Sequence, residues 1–312
     1  MFHNVVSEPL DAFDRELSRI HINRFRRSIE FLRQRYEVVS LPEAIARMDA
    51  GDSDRRALVI TFDDGFAGVY EEARPMLAEA GLSATVFILT EGGAPIPPER
   101  LLHFEELEIA FRLTRAREID LSELGLGWQP IASEQERVSA LRRTKRELKR
   151  LAAPVHDRIH PSILDSLGVA GEEIKTFARC YPKYRKLSME QITELVETGW
   201  TVGGHTRTHP SLSSLDEAAA RCEIEGNLRD LQKAFGPRSF PFAYPYGIPE
   251  LVGTDAPVLV RQAGFCCAFT TVPGDIGFET DRFLLNRFSD NALLAELTMP
   301  KSFEMAVAEA LS

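Results

Sequence analysis

Apolar positions along the chain follow two rhythms. From Asn23 to Arg35, Phe25, Ile29 and Leu32 recur at helical spacing among arginines, and Tyr36 to Ser40 is extended and β-branched, so the order is helix then strand. Ser40, three residues ahead of Glu43 with Pro42 in the first turn, starts a helix over Glu43 to Met48 that Gly51 ends. Ala57 to Phe62 is an apolar run of strand length, the pattern of a strand buried on both faces, and two aspartates and a glycine follow it directly. Tyr70 to Ala80 is helical and closed by Gly81, and Ala84 to Thr90 is a second buried strand. The rhythm is β-α-β.

From Gly92 to about Lys186 the pattern changes. A Pro-rich opening leads to helical stretches at Phe104 to Thr114 and Glu134 to Leu151, which read as an inserted helical segment. The second stretch sets Arg137, Arg142, Arg143, Lys145, Arg146, Lys149 and Arg150 around an apolar line of Val138, Leu141, Leu148 and Leu151. That basic surface is either a solvated face or a lid that helps hold an anionic substrate such as a nucleotide-linked sugar.

Alternation resumes at Ser188, which caps a helix that Gly199 stops before the strand Trp200 to Gly203. Helices at Asp216 to Phe235 and Val258 to Ala263, with short strands at Ser239 to Tyr244, Gly264 to Thr271 and Arg282 to Leu285, complete the pattern. The class is α/β, a parallel sheet or barrel in two parts, 1–91 and 187–312, split by the helical insertion 92–186. In such folds function sits at the C-terminal ends of the strands.

Charge narrows the partners. Against 47 Asp+Glu stand 37 Lys+Arg, a net charge of −10 that supplies no footprint for nucleic acid. The opening residues carry no basic segment followed by an apolar one, and no run of 18 apolar residues occurs, so neither an export signal nor a membrane span is expected. Four cysteines, Cys180, Cys222 and the pair Cys266 and Cys267, are too few and too poorly spaced for a disulfide framework or a thiolate zinc site. Buried or half-buried thiols in a reducing cytoplasm are the expectation.

Three segments carry candidate chemistry. Thr61-Phe-Asp-Asp-Gly65 puts Asp63 and Asp64 where a buried strand ends; two adjacent carboxylates in a confined site need a cation or hydrogen bonds to offset their repulsion, although Asp-Asp-Gly is also good turn chemistry. Gly203-Gly-His-Thr-Arg-Thr-His209 follows another strand, and His205 and His209 could meet at one ion suited to imidazole, such as zinc, cobalt, nickel or iron. One carboxylate with two histidines leaves coordination positions open, as catalysis requires. Phe240 to Gly247 is aromatic and proline-rich; Tyr244, Pro245, Tyr246 and Gly247 could line a groove for a sugar ring and offer a backbone N–H to a developing oxyanion.

TFDDG, HTRTH and YPYG, in this order and at these separations, resemble the first three motifs of the polysaccharide deacetylase superfamily, the NodB-homology proteins of carbohydrate esterase family four. The resemblance covers about residues 20 to 90 and 186 to 290. It implies a distorted (β/α) barrel and a metal-dependent hydrolase of N-acyl sugars. Asp64, His205 and His209 would then hold the metal, usually zinc with cobalt or nickel also suitable; Asp63 would be the general base and the backbone at Tyr246 would assist the oxyanion.

Two departures stand out. Where many members carry an arginine at the head of the third motif, this chain has Ala243, so Arg287 or Arg207 is expected to supply the charge that holds the base. Where many end with Leu-x-His, Leu284-Leu-Asn286 places an amide that cannot deliver a proton at neutral pH. Asn286 is then a substrate contact, and either Asp63 returns its proton to the leaving amine or His103 or His160 of the insert serves. The expected activity is cytoplasmic deacylation, acetyl or formyl, of a nucleotide- or lipid-linked N-acylated sugar. Alternatives are a non-catalytic sugar-binding member and a two-histidine, one-carboxylate iron oxygenase.

Overall fold

In the computed structural model, which describes residues 1–51, 57–277 and 279–292, five strands form one parallel sheet whose spatial order is their chain order. They are β1 Thr61–Phe62, β2 Thr85–Ile88, β3 Thr201–Gly204, β4 Phe242–Ala243 and β5 Ala268–Phe269. Thr85 pairs with Thr61 on one side and Thr201 on the other, Gly204 with Phe242, and Ala243 with Phe269. Single parallel bridges extend both edges, Phe2 to Phe62 and Leu285 to Phe269. Each crossover returns the chain beside the strand it left, so the sheet curls in one direction as barrels do, instead of reversing as in a doubly wound fold. Across the gap between the edges, Arg287, two residues past Leu285, reaches β1 and the residues after it through its side chain. The result is the distorted (β/α) barrel expected.

Side chains alternate across these strands as the pleat requires. Phe62, Val86, Ile88, Val202, Phe242 and Ala268 pack outward beneath helices, whereas Phe87, Ala243, Cys267, Phe269 and Leu285 form a separate inner cluster. The helices outside are α1 Ile22–Arg35, α2 Leu41–Asp49, α3 Arg74–Glu79, α8 Met189–Glu197, α9 Glu217–Phe235 and α10 Ala256–Ala263. Ser40 and Ser188 cap α2 and α8 as their spacing predicts, and a π-turn at Val69–Ala73 leads into α3. The run from Ala57 to Phe62 divides, because Ala57–Leu58 pairs with Glu37–Val38 and only Thr61–Phe62 joins the main sheet. The expected strand Arg282 to Leu285 is reduced to the single bridge at Leu285.

Between β2 and β3 lie α4 His103–Leu113, α5 Glu134–Leu148, α6 Ala153–Leu167 and α7 Gly171–Cys180, with a core of their own that includes Leu107, Phe111, Ile131, Leu141 and Ile163. The helical pattern announces α4 and α5, and Val138, Leu141 and Leu148 are buried as the apolar line requires. It does not announce α6 and α7: Pro161 lies inside the first of them, where the pattern reads as a break, and Gly171 opens the other.

A charge network fastens this segment to the N-terminal strand region. Asp14 accepts from Arg19 at 2.9 Å and Lys183 at 2.7 Å, Glu108 accepts from Tyr184 at 2.6 Å, and Arg112 bridges Glu108 and Asp11. Three acids meet three bases, all inside or at the edge of the core.

Contrary to the expectation of covered thiols, Cys180 and Cys222 are exposed, while Cys266 is half-buried and Cys267 buried; all four are free. Among the described residues no helix is long and apolar enough to cross a membrane. Residues 293–312, the end of the expected second barrel part, lie outside those described.

Candidate active site

The C-terminal ends of β1, β3 and β4 bring three loops to one point. Asp64 Oδ1 lies 3.3 Å from His205 Nε2 and 3.3 Å from His209 Nε2, with all three residues buried. His205 Nδ1–H donates to the Ala243 carbonyl at 2.7 Å, which fixes the tautomer and leaves the Nε2 lone pair facing Asp64. Ala243 thus takes part here through its backbone carbonyl.

The turns are conformationally costly. Of five non-glycine residues with positive φ among the described residues, four are in this site: Asp64 at 67°, Thr206 at 66°, His209 at 63° and Tyr246 at 62°. Such backbone costs of order 1–3 kcal/mol per residue and persists where surrounding contacts over-determine it. Here Thr206 Oγ1 accepts from the His209 N–H at 3.1 Å, and Asn227 of α9 donates to the Thr206 carbonyl at 2.8 Å. The glycines ahead of His205 let β3 sit this close: a Cβ on Gly204 would stand 2.1 Å from Asn227 Oδ1, and one on Gly203 2.6 Å from the Phe87 ring.

Asp63 does a different job from its neighbour. It follows the inward-facing Thr61 by two positions, and Arg287 grips it bidentately, Nη1 to Oδ1 at 2.7 Å and Nη2 to Oδ2 at 2.8 Å. Arg287 is itself held by the Thr270 carbonyl at 2.8 Å. Burial pushes the Asp63 carboxyl up, but Arg287 and His205 more than offset it and hold it below the usual range. For Asp64 burial is likewise outweighed, by the two imidazoles, and its pKa falls well below the ordinary value. Both carboxylates are ionised at neutral pH.

The donor set fits a divalent metal. Asp64 Oδ1 is buried without a hydrogen-bond partner although two imidazole nitrogens stand beside it, as expected of lone pairs that converge on a common centre. Ligands about 2.0–2.1 Å from a tetrahedral ion lie about 3.3–3.4 Å apart, and the two measured edges are 3.3 Å.

The remaining residues divide. The Tyr246 ring meets His209 edge-on at 4.7 Å, and Pro245 and Gly247 are buried in the same turn. Tyr244 does not face a groove: it points outward with Phe242, buried, and donates to the Phe283 carbonyl at 2.8 Å, because residues two apart on a strand share a side. Asn286 also turns away, between the inward Leu285 and Arg287, and its amide meets the Asp275 carbonyl at 3.3 Å. Arg207 lies against Asp230 at 3.3 Å, and is not a partner of Asp63. His103 and His160 gather with each other and with Glu106, in a group separate from the Asp64 triad.

Two contacts from the insert escaped sequence reasoning. Phe104 of α4 packs against His209 at 5.4 Å, and Lys149, just beyond α5, sets its ammonium 4.4 Å from the centre of the Tyr246 ring. Lys149 stands out in sequence only as one of seven basic residues; what selects it is its place at the end of α5, over the Tyr246 ring. Burial lowers its pKa, and Asp64 is close enough to act against that shift.

The family profile described as polysaccharide deacetylase matches residues 50–105 and 164–265, just over half of the chain. The chain belongs to the polysaccharide deacetylase family. It is accordingly a hydrolase of the amide bonds of N-acyl sugars. Solved structures share the fold at low identity. The Streptococcus pyogenes deacetylase PplD in complex with acetate gives a TM-score of 0.56 at 15% identity over 96% of each chain. IcaB from Ammonifex degensii gives 0.52 at 18% over 94% of each, and a de-N-acetylase from Aggregatibacter actinomycetemcomitans 0.52 at 14% over 92% of each. No curated protein sequence matches.

Proposed function

We propose that this chain removes an acetyl or formyl group from the amine of a sugar carried on a nucleotide- or lipid-linked intermediate, in the cytoplasm, with zinc held by Asp64, His205 and His209. One observation carries the proposal: an unsatisfied ligand oxygen between two imidazoles, next to a second carboxylate that is clamped by arginine and is not part of the triad. A metal in that triad supplies Lewis-acid polarisation of the acyl carbonyl and acidifies water. Asp63, ionised and oriented by Arg287, takes the proton from the attacking water at a carboxylate oxygen. The Tyr246 turn lies beside the triad, where its backbone N–H would assist the oxygen that gains charge. Collapse breaks the C–N bond and yields a carboxylate and an amine. With Asn286 turned away and His103 and His160 engaged elsewhere, Asp63 returns its proton to the leaving nitrogen.

Lys149 over the Tyr246 ring, with Lys145 near Phe104, favours an anionic substrate over a neutral polymer. Four free cysteines suit a reducing compartment.

The test is release of acetate or formate from nucleotide-linked N-acyl sugars and from neutral N-acetylglucosamine oligomers, before and after chelation and zinc repletion. Release that is lost on chelation and restored by zinc is expected, with the nucleotide-linked substrate preferred. Undiminished activity after complete metal removal would overturn the metal assignment, and bound sugar without turnover would favour the non-catalytic reading.

A further inference from the structure

A second gathering of metal-binding side chains lies in the insert, formed by residues some fifty positions apart. His103 and Glu106, three apart, share a face of the first turn of α4, and His156 and His160, four apart, share a face of α6. Ligand atoms of His103, Glu106 and His160 all lie within 4.8 Å of one another. His160 Nε2 stands 3.8 Å from Glu106 Oε2. The His103 ring meets that of His160 at 4.7 Å and that of His156 at 5.0 Å between centroids. Of the seven histidines in the chain, three are in this one place. His160 is buried, Glu106 half-buried and His103 exposed, so the group has a fixed floor and an open side through which an ion can enter.

We propose that His103, Glu106 and His160 form a second divalent-metal site, beside which the His156 ring stacks on His160. Imidazoles with one carboxylate select a borderline ion such as zinc, cobalt or nickel over calcium or magnesium, which prefer oxygen. The set is looser than the Asp64 triad, and His160 Nε2 lies 3.1 Å from the His103 backbone carbonyl; binding through Nε2 exchanges that hydrogen bond for the metal. Such an ion ties α4 to α6 at the turn that also carries Phe104 against His209.

The full-length double variant Asp64→Asn/His205→Ala, whose barrel site is disabled, isolates this group. Stripped with chelator and re-equilibrated with zinc alone, it is expected to retain one zinc per chain by elemental analysis and to melt at a higher temperature with zinc than without. Adding His103→Ala, a change at an exposed position that leaves the core intact, should weaken that uptake at least about tenfold, as should Glu106→Gln. No zinc uptake by the double variant at micromolar metal overturns the proposal, as does uptake that neither His103→Ala nor Glu106→Gln alters. Wild-type activity does not enter these readouts, so the second site can fail while the catalytic reading stands, and the reverse.

Discussion

Buried charge occurs at the barrel mouth and beneath the insert, and the two places treat it in opposite ways. Under the insert Asp14, Glu108 and Asp11 each meet cationic or hydroxyl donors at hydrogen-bond distance, and the network balances three acids with three bases. At the mouth Asp64 Oδ1 and His209 Nδ1 have no hydrogen-bond partner, and four residues nearby sit in left-handed backbone. In the network under the insert every carboxylate is paired, although Arg19 Nε and Nη2 stay without hydrogen-bond partners. At the mouth the unpaired Asp64 oxygen faces two imidazole Nε2 atoms, an arrangement suited to binding at the cost of local stability.

Substitutions can separate the two. Asp64→Asn should abolish hydrolysis, a loss of several kcal/mol of transition-state stabilisation or roughly 10³-fold in rate, while the metal-free variant melts no lower than metal-free wild type. Acetate release and calorimetry on stripped protein read both effects. Asp14→Asn should do the reverse: it leaves Arg19 and Lys183 without their carboxylate and costs about 3–5 kcal/mol in denaturant unfolding, with kcat at low temperature unchanged.

Between them lies Arg287→Ala, which removes a positioning residue and should lower kcat by about 10–100-fold with metal content intact. Its pH profile has a fixed sign. Arg287 holds the Asp63 pKa down, so without it burial raises that pKa, the ionised base is lost at a higher pH as acid is added, and the acid limb of the rate profile moves upward. An unshifted profile would show that the clamp does not serve the base; Arg287→Lys should recover part of the rate. The smallest effect is expected of Lys149→Ala. It should raise KM severalfold for a phosphate-bearing sugar and leave a neutral oligosaccharide alone, and the difference should fade at high salt.

The barrel half was legible because its signals are local. Continuous apolar strands, glycine stops and serine caps each act within a few residues, and the three ligands sit at strand ends that those signals locate. Facing was less legible. Tyr244 and Tyr246 belong to one motif, yet a strand side-chain period of two sends the first into the outer core, and the same rule turns Asn286 away between Leu285 and Arg287. The left-handed turns at Asp64, Thr206, His209 and Tyr246 leave little sequence mark, since Asp and His are only enriched there and glycine alone enters it freely. Neither α6 nor the histidine group could be read ahead, because Pro161 obscures the helix and the group exists only where two helices cross.

The grip of Arg287 on Asp63 spans 224 positions of chain. During synthesis all three residues of the proposed metal triad have left the ribosome once residue 209 emerges, well before residue 287 follows. A nascent chain can therefore hold the elements of the proposed metal pocket while Asp63, the proposed proton acceptor, still lacks its clamp.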